Sequence, residues 1–282
     1  MSWMSVNTSE LDEPLPEVYL TRHAQQQLRT LAPEAVTGEQ PFFMAVGYQR
    51  PHLPMYAPSR YFDMYPLDEI TLPANPYASY NQPIISWNRC GEKYDKYYDD
   101  FGEWELVFNE TMPDYITLDM RRAYYACASY IDHQVGNMLE TLEEVGLANN
   151  TVVLLVSDHG WKIGEHAAWC KSTNYNLDTR IPFILRVPGR TDDGTVANEI
   201  IEIADILPTV MDALDLAPVP VCTQENSENG RRLCVEGHSV FKALDSPGTW
   251  KDVAFSQITR TSEDSTDGRD TMGFSLRTPS YR

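Results

Sequence analysis

A carboxylate and an imidazole stand side by side at Asp158-His159, where the apolar run 151–156 ends. With further oxygen ligands, that pair suits a hard divalent cation, calcium or magnesium, better than a soft-ligand metal. Glu165 and His166 follow within the same stretch, TVVLLVSDHGWKIGEHAAWCK, which closes on Lys171. There is no HExxH and no CxxC pair, so a closed zinc site has no support. Gly160 lets the chain turn sharply just after the pair. Read alone, Asp-His-Gly also fits a plain turn, with Asp158 capping the backbone and His159 half exposed.

The elements that must position these groups follow from apolar spacing. The run 151–156 is short and β-branched and reads as a strand buried on both faces of a parallel sheet. Ligands of open α/β sheets sit just beyond the carboxyl ends of such strands. The clearest helix is 119–145, with Cys127, Ile131, Val135, Met138, Leu142 and Val145 at steps of three and four and Gly146 as its stop. A further strand at 181–187 completes an alternating α/β pattern. Upstream, 18–31 has helical spacing closed by Pro33, and 41–48 (PFFMAVGY) reads as a second buried strand. Proline-rich irregular chain at 51–83 and a Tyr/Asp-rich stretch near 94–101 are too long for a connector and are expected to pack across the active-site face. Asp205 is placed to cap a helix running to Leu214, with Pro208 in its first turn. Strands are expected at 253–259 and 273–278 in a second, smaller unit.

Composition narrows the function. The chain has 282 residues and a formal net charge of −19, from 41 acidic and 22 basic side chains. That balance argues against nucleic-acid binding, which needs clustered Lys and Arg. No stretch approaches the length of a transmembrane helix. The start, MSWMSVNTSELDEPLPEV, is polar and does not read as a signal peptide. Sequons occur at Asn7, Asn109 and Asn149. Cys222 and Cys234 bracket a polar stretch, where a disulfide would close a short loop worth roughly 3 kcal/mol in the chain-entropy model. Cys90, Cys127 and Cys170 read as free or buried.

The collinear order PFFMAVGYQRPHLP, FDMYPLDEITLP, LANNTVVLLVSDHGWKIGEHAAWCK, IPFILRVPGR, ADILPTVMDAL and GFSLRTPSYR resembles the type I sulfatases of the alkaline-phosphatase-like superfamily. The resemblance implies an α/β fold, a mixed, mostly parallel sheet flanked by helices. Residues 1–245 would be the C-terminal portion of the catalytic domain, and 246–282 the start of a smaller C-terminal α/β subdomain. It implies that Asp158 and His159 are two ligands of the family's calcium ion. Lys171 would contact the sulfate group and its bridging oxygen, and His52 would lie near the ester's leaving oxygen. Trp161 and Glu165 would shape the pocket. Cys222–Cys234 would be a family disulfide, and Asn149, with Asn109, a glycosylation site. The implied substrate is a sulfated glycosaminoglycan, with 2-sulfated iduronate of heparan or dermatan sulfate preferred, and the implied location is lysosomal or secreted. The chemistry fits these types. A cation with a lysine holds the charge of peripheral sulfate oxygens, and a histidine can protonate a poor alcohol leaving group. Without the resemblance, His52 reads as a loop imidazole bonded to backbone between prolines, and Lys171 as a solvated amine.

The family nucleophile, a formylglycine made from the Cys or Ser of C/S-x-P-x-R, has no counterpart here. Tyr56-Ala57-Pro58-Ser59-Arg60 carries only the tail of that motif and follows the histidine loop, in the wrong order. The paired aspartates that complete the calcium site also lack candidates. The expectation is therefore a chain lacking the N-terminal portion of its domain, inactive alone and a weak calcium binder. Two other readings stand beside it: a phosphodiesterase or phosphonate hydrolase of the same superfamily, and a non-catalytic glycan-binding relative. For the latter, only a local basic pocket of Lys171, Arg50 and Lys162 could oppose the overall acidity.

Overall fold

The computed structural model describes residues 3–11, 13–88, 107–223, 234–246, 248, 250–260 and 270–281. In chain order its regular elements are β1 (Trp3–Val6), α1 (Pro16–Thr37), β2 (Met55–Pro58), α2 (Ser59–Phe62), α3 (Asp114–Glu144), β3 (Val153–Val156), β4 (Lys162–Ile163), β5 (Trp169–Cys170), α4 (Asn176–Thr179), β6 (Phe183–Arg186), α5 (Ile206–Ala213), α6 (Phe241–Asp245), β7 (Ala254–Arg260) and β8 (Thr271–Arg277). This is the expected α/β class. Among the described residues the strands pair in twos, β1 with β2 parallel and β3 with β6, β4 with β5 and β7 with β8 antiparallel. The chain packs as two compact units: Met1–Asn150 with Trp161–Lys171, and Thr151–Gly160 with Ser172–Arg282.

In the first unit, α3 follows its apolar stripe. It starts at Asp114, after Pro113, and ends where Gly146 takes a left-handed conformation (φ 76°). Ala123 and Ala126 are fully buried, and their small side chains let Met55 and Ala57 of β2 pack closely against the helix. Helix α1 lies alongside, held by Gln25 Nε2 donating to Asn137 O at 3.1 Å and Thr141 Oγ1 at 2.8 Å, and by an Arg29–Glu144 ion pair at 3.0 Å. Pro33 does not close α1 as expected. It sits inside the helix, which ends only at left-handed Gly38 (φ 77°), whose N–H reaches the carbonyls of Ala35 and Glu34. Proline removes one N–H there, a loss that the packed helix tolerates.

The segment 41–48 is a correction. It is extended, with burial alternating along it and Phe43 88% exposed, but it forms no strand. An apolar run becomes a strand only when a neighbour takes its hydrogen bonds, and none of the described residues does so. The proline-rich chain 51–83, expected to be irregular, instead carries β2 and α2 at its start, because β1 pairs with Met55–Pro58. Beyond Phe62 it is irregular apart from one short 3-10 turn at Leu67–Glu69. The stretch 94–101 and Cys90 lie outside the described residues.

Cys127 is free and wholly buried, as expected, and burial pushes its thiol up from an ordinary 9.0 to about 12. Cys170, read as free or buried, is buried and disulfide-bonded. Because the thiolate is the nucleophile, Cys127 should resist alkylation in the native protein through pH 9 and react promptly only after unfolding. The sign for stability follows. The folded form keeps the proton longer, so this group's contribution is complete below pH 9 and is lost as pH rises toward 12. Peptide mapping after iodoacetamide treatment checks the reactivity, and native labelling at Cys127 would contradict it.

In the second unit, β3 was expected to be buried on both faces of a parallel sheet. It instead pairs antiparallel with β6, and Val156 is 39% exposed. With one hydrogen-bonded neighbour among the described residues, its apolar side chains are only partly covered. Asp205 is another correction. It is fully buried, but its carboxylate does not cap α5. It accepts from Glu202 N and His238 N, each at 2.8 Å, and pairs with Lys251 Nζ at 2.7 Å. A charged partner outcompetes the helix end for that carboxylate. The Cys222–Cys234 disulfide is formed, flanked by Cys222 N donating to Val235 O at 2.8 Å. The two predicted C-terminal strands form the β7–β8 hairpin.

Candidate functional site

Three of the predicted groups meet in the first unit. The His52 ring meets Trp161 edge-on, with centroids 5.5 Å apart, and Lys171 Nζ stands 5.4 Å from the centroid of the same indole. The lysine contact is a cation–π approach, favourable by roughly 0.5–1 kcal/mol at accessible sites. Trp161 packs against both apolar clusters of this unit, so its indole is a firm reference surface. His52 Nδ1 lies 2.7 Å from Leu53 O. A carbonyl can only accept, so Nδ1 carries the hydrogen and Nε2 is the nitrogen left to address a ligand. The backbone bond expected of an ordinary loop histidine is thus present, and it also fixes the orientation that chemistry at Nε2 requires.

Lys171 is held by a strained loop. Strands β4 and β5 form a short hairpin, between which His166 and Ala167 adopt left-handed backbone (φ 57° and 52°), as does Cys170 (φ 61°). Such conformations cost about 1–3 kcal/mol each and persist only when surroundings enforce them. Two sets of neighbours enforce them here. Arg121 of α3 donates through Nη1 to Glu165 Oε1 at 2.8 Å and Ile163 O at 3.1 Å, while Glu165 Oε2 accepts from Ile163 N at 2.8 Å. The proline-rich chain takes the rest: His166 N donates to Asn75 O, Ala167 N to Pro76 O, and Asn88 Nδ2 to Lys171 O. Glu165, expected to shape a pocket, is a clamp for the loop.

Arg50 and Lys162 do not extend this basic group. Lys162 is fully buried, and Arg50 is buried in an ion pair with Glu17 at 2.8 Å. The Tyr56–Arg60 segment is also not a nucleophile site; its Ser59 hydroxyl donates to Val6 O at 3.0 Å and serves the join of β1 to α2.

Asp158 and His159 belong to the second unit. Their side chains face each other, with His159 Nε2 3.2 Å from Asp158 Oδ2. His159 Nδ1 is committed to Gly160 O at 2.8 Å, the arrangement that points the other ring nitrogen of a histidine toward a metal. The loop is anchored from α4, where Gly160 N donates to Asp178 O at 2.7 Å. The Asp178 carboxylate is in turn pinned by Thr173 N and Oγ1, at 2.7 and 2.6 Å. The pair therefore fits two positions of a hard-cation site. A full shell of about six to eight oxygens is another matter. Among the described residues, no group of three or more His, Cys, Asp or Glu side chains gathers to hold an ion. Calorimetry on the chain should accordingly find calcium binding weaker than micromolar, and submicromolar affinity would contradict that.

Arg121 and Asp178 escaped the sequence reading. The signal for Arg121 was a charge inside the apolar stripe of α3, four residues after buried Thr117 and four before Tyr125, whose hydroxyl it also meets at 3.0 Å. Asn109 and Asn149 are both exposed; Asn109 Oδ1 accepts from Ala78 N at 3.0 Å. No helix among the described residues is long and apolar enough to cross a membrane.

Comparison with known proteins adds to this geometry. Residues 5–216 match the family model described as Sulfatase. The chain is 31% identical to iduronate 2-sulfatase of Homo sapiens over 322 residues, covering 96% of this chain and 56% of that protein. It spans about half the length of the curated relatives it matches. Among solved structures it resembles a phosphonate monoester hydrolase from Silicibacter pomeroyi, with a TM-score of 0.65, 23% identity, and 91% of this chain and 46% of that one covered. It also resembles a protein solved with its substrate D-glucosamine-2-N,6-O-disulfate, with a TM-score of 0.66, 18% identity, and coverage of 92% and 59%. These likenesses show the fold, an alkaline-phosphatase-like α/β architecture.

Proposed function

Because this chain belongs to the sulfatase family, we propose that it supplies the sulfate-facing groups of a sulfuric ester hydrolase that removes the 2-O-sulfate from iduronate in heparan or dermatan sulfate. The observation that carries this reading is the placement of Lys171 and His52 against one indole, Trp161. The Lys171 ammonium holds the peripheral and bridging oxygens of the ester, where fixed charge does most for the transition state. His52, with Nδ1 bonded to Leu53 O, offers Nε2 to the departing alcohol oxygen. Trp161 keeps the two at a constant separation and lines the sugar side. Asp158 and His159, in the second unit, would hold a calcium ion, a source of positive charge for an anionic ester.

The formylglycine nucleophile and the other calcium ligands are assigned to sequence outside these residues, in keeping with the half-length match to relatives. On this reading 1–245 is the C-terminal portion of the catalytic domain and 246–282 begins a smaller subdomain. The Cys222–Cys234 disulfide supports an oxidising compartment, and exposed Asn149 and Asn109 are its glycosylation sites, as in a lysosomal or secreted protein.

The match to iduronate 2-sulfatase supports the substrate. The fold likeness to a phosphonate monoester hydrolase favours a second reading, cleavage of phosphonate or phosphate esters. The test offers the protein carrying these residues a 2-O-sulfated iduronate disaccharide and, separately, a phosphonate monoester. Sulfate release from the first is the expected result. Cleavage of the phosphonate alone would establish the second reading, and disaccharide binding without turnover of either would mark a non-catalytic glycan binder.

A further inference from the structure

The pair Glu17–Arg50 is the most buried ion pair among those described, with side chains 3% and 6% exposed and Oε1 2.8 Å from Nη1. Burying a pair so completely contributes little to stability, since well-packed apolar residues can replace such a pair at no loss. Its location suggests what else it does. Arg50 lies two residues before His52, and Glu17 lies in the first turn of α1. One turn on, Thr21 Oγ1 donates to Glu17 O at 2.8 Å and meets Tyr48 OH at 2.9 Å. The approach to His52 is thus tied twice to one face of α1, at Tyr48 and at Arg50. Arg50 also lies over the Tyr56 ring at 5.9 Å, on the far side of the histidine. His52 N closes the turn by donating to Gln49 O at 3.0 Å.

We propose that Glu17 and Arg50 are positioning residues for His52: the ion pair fixes the 48–56 turn on α1, and thereby holds the imidazole edge against Trp161. Its functional meaning rests on the reading of His52 given above, but the positioning is a property of the fold and is tested without turnover. Attachment is single-point, because among the described residues neither Glu17 Oε2 nor Arg50 Nε has a hydrogen-bond partner. Lysine, which also offers one donor at a time, can therefore replace this arginine, although it could not at a bidentate site.

The experiment is NMR of the full 282-residue chain with labelled histidine, reading the His52 ring signals, which the Trp161 ring current displaces and whose nitrogen shifts report the Nδ1–H tautomer. In Glu17→Gln the His52 signals should move to values of a solvent-exposed histidine, while those of His166, held by Asn75, stay in place. Arg50→Lys should keep the parent His52 signals. Should Glu17→Gln fail to fold, the double variant Glu17→Leu with Arg50→Met decides, since it removes both charges together and is expected to fold. In it His52 should still lose its displaced signals. Parent-like His52 signals in either folded variant would overturn the proposal. If instead the protein proves to hydrolyse no sulfate ester, the function falls while this positioning stands.

Discussion

Gly160→Ala should lower the stability of the chain by about 3 kcal/mol, at the upper end of the usual cost of forcing an extra methyl into a packed site. A Cβ at this position would stand 1.9 Å from Leu177 O and 2.9 Å from its carbonyl carbon, with Arg180 O at 3.2 Å. All three are backbone atoms in or beside α4, so no side-chain rotation relieves the clash. Relief means withdrawing the loop, which also breaks the Gly160 N to Asp178 O bond at 2.7 Å. Asp158 and His159 move with it, so the two proposed cation ligands are displaced as well. Gly136→Ala is the control. It lies inside α3 with nothing within 4 Å of its Cβ, and should stabilise by about 0.5–1 kcal/mol, the helix-propensity gain. Urea titration of both variants reads the difference. A parent-like midpoint for Gly160→Ala would show that the close approach to α4 does not exist in solution.

Arg121→Ala should be nearly as damaging, at about 3 kcal/mol. It leaves the Glu165 carboxylate without its cation and Ile163 O without its donor, in a place where the two side chains are 10% and 22% exposed. Breaking a buried pair on one side costs about 3–5 kcal/mol, and this pair's partial exposure places it at the low end. The consequence extends beyond stability. The left-handed residues at His166, Ala167 and Cys170 are kept by this clamp and by the proline-rich chain, so the loop should relax and become open to proteolysis within 162–171. Arg121→Lys should recover only part of the loss, because one ammonium cannot serve Glu165, Ile163 O and Tyr125 at the guanidinium's geometry. Limited proteolysis with mass analysis, alongside urea titration, checks both effects. An Arg121→Ala chain as resistant as the parent would contradict the clamp.

What could be read from residues alone was what repeats along the chain. The stripe from Cys127 to Val145 announced α3 because each residue adds to one periodic face, and β7 and β8 were legible for the same reason. Misreadings arose where structure depends on distant partners. Pro33 looked like a stop because its missing N–H is a local fact, whereas the packing that tolerates it is not. PFFMAVGY has the composition of a strand, but strands are made by neighbours. Asp205 looked like a cap, and Lys251, far along the chain, takes its charge instead. The site divides similarly. Asp158, His159 and Lys171 sit in one recognisable stretch. His52 came from a second motif, and its meeting with Trp161 could only be seen once folded. Arg121 was invisible because a charged residue on a helix is usually solvated, and only its burial against Glu165 reveals its task.

The claim that Lys171 and His52 address a sulfate ester is tested most directly at Lys171. The measurement is kcat/KM for sulfate release from a 2-O-sulfated iduronate disaccharide by the protein carrying these residues, parent against Lys171→Ala. Lys171 Nζ stands 5.4 Å from the Trp161 ring centroid, a contact of roughly 0.5–1 kcal/mol, so its loss should leave thermal stability near the parent's. Loss of a preorganised cation at the developing charge should cost about 100-fold or more in kcat/KM. A parent-like kcat/KM in the Lys171→Ala protein would contradict the account.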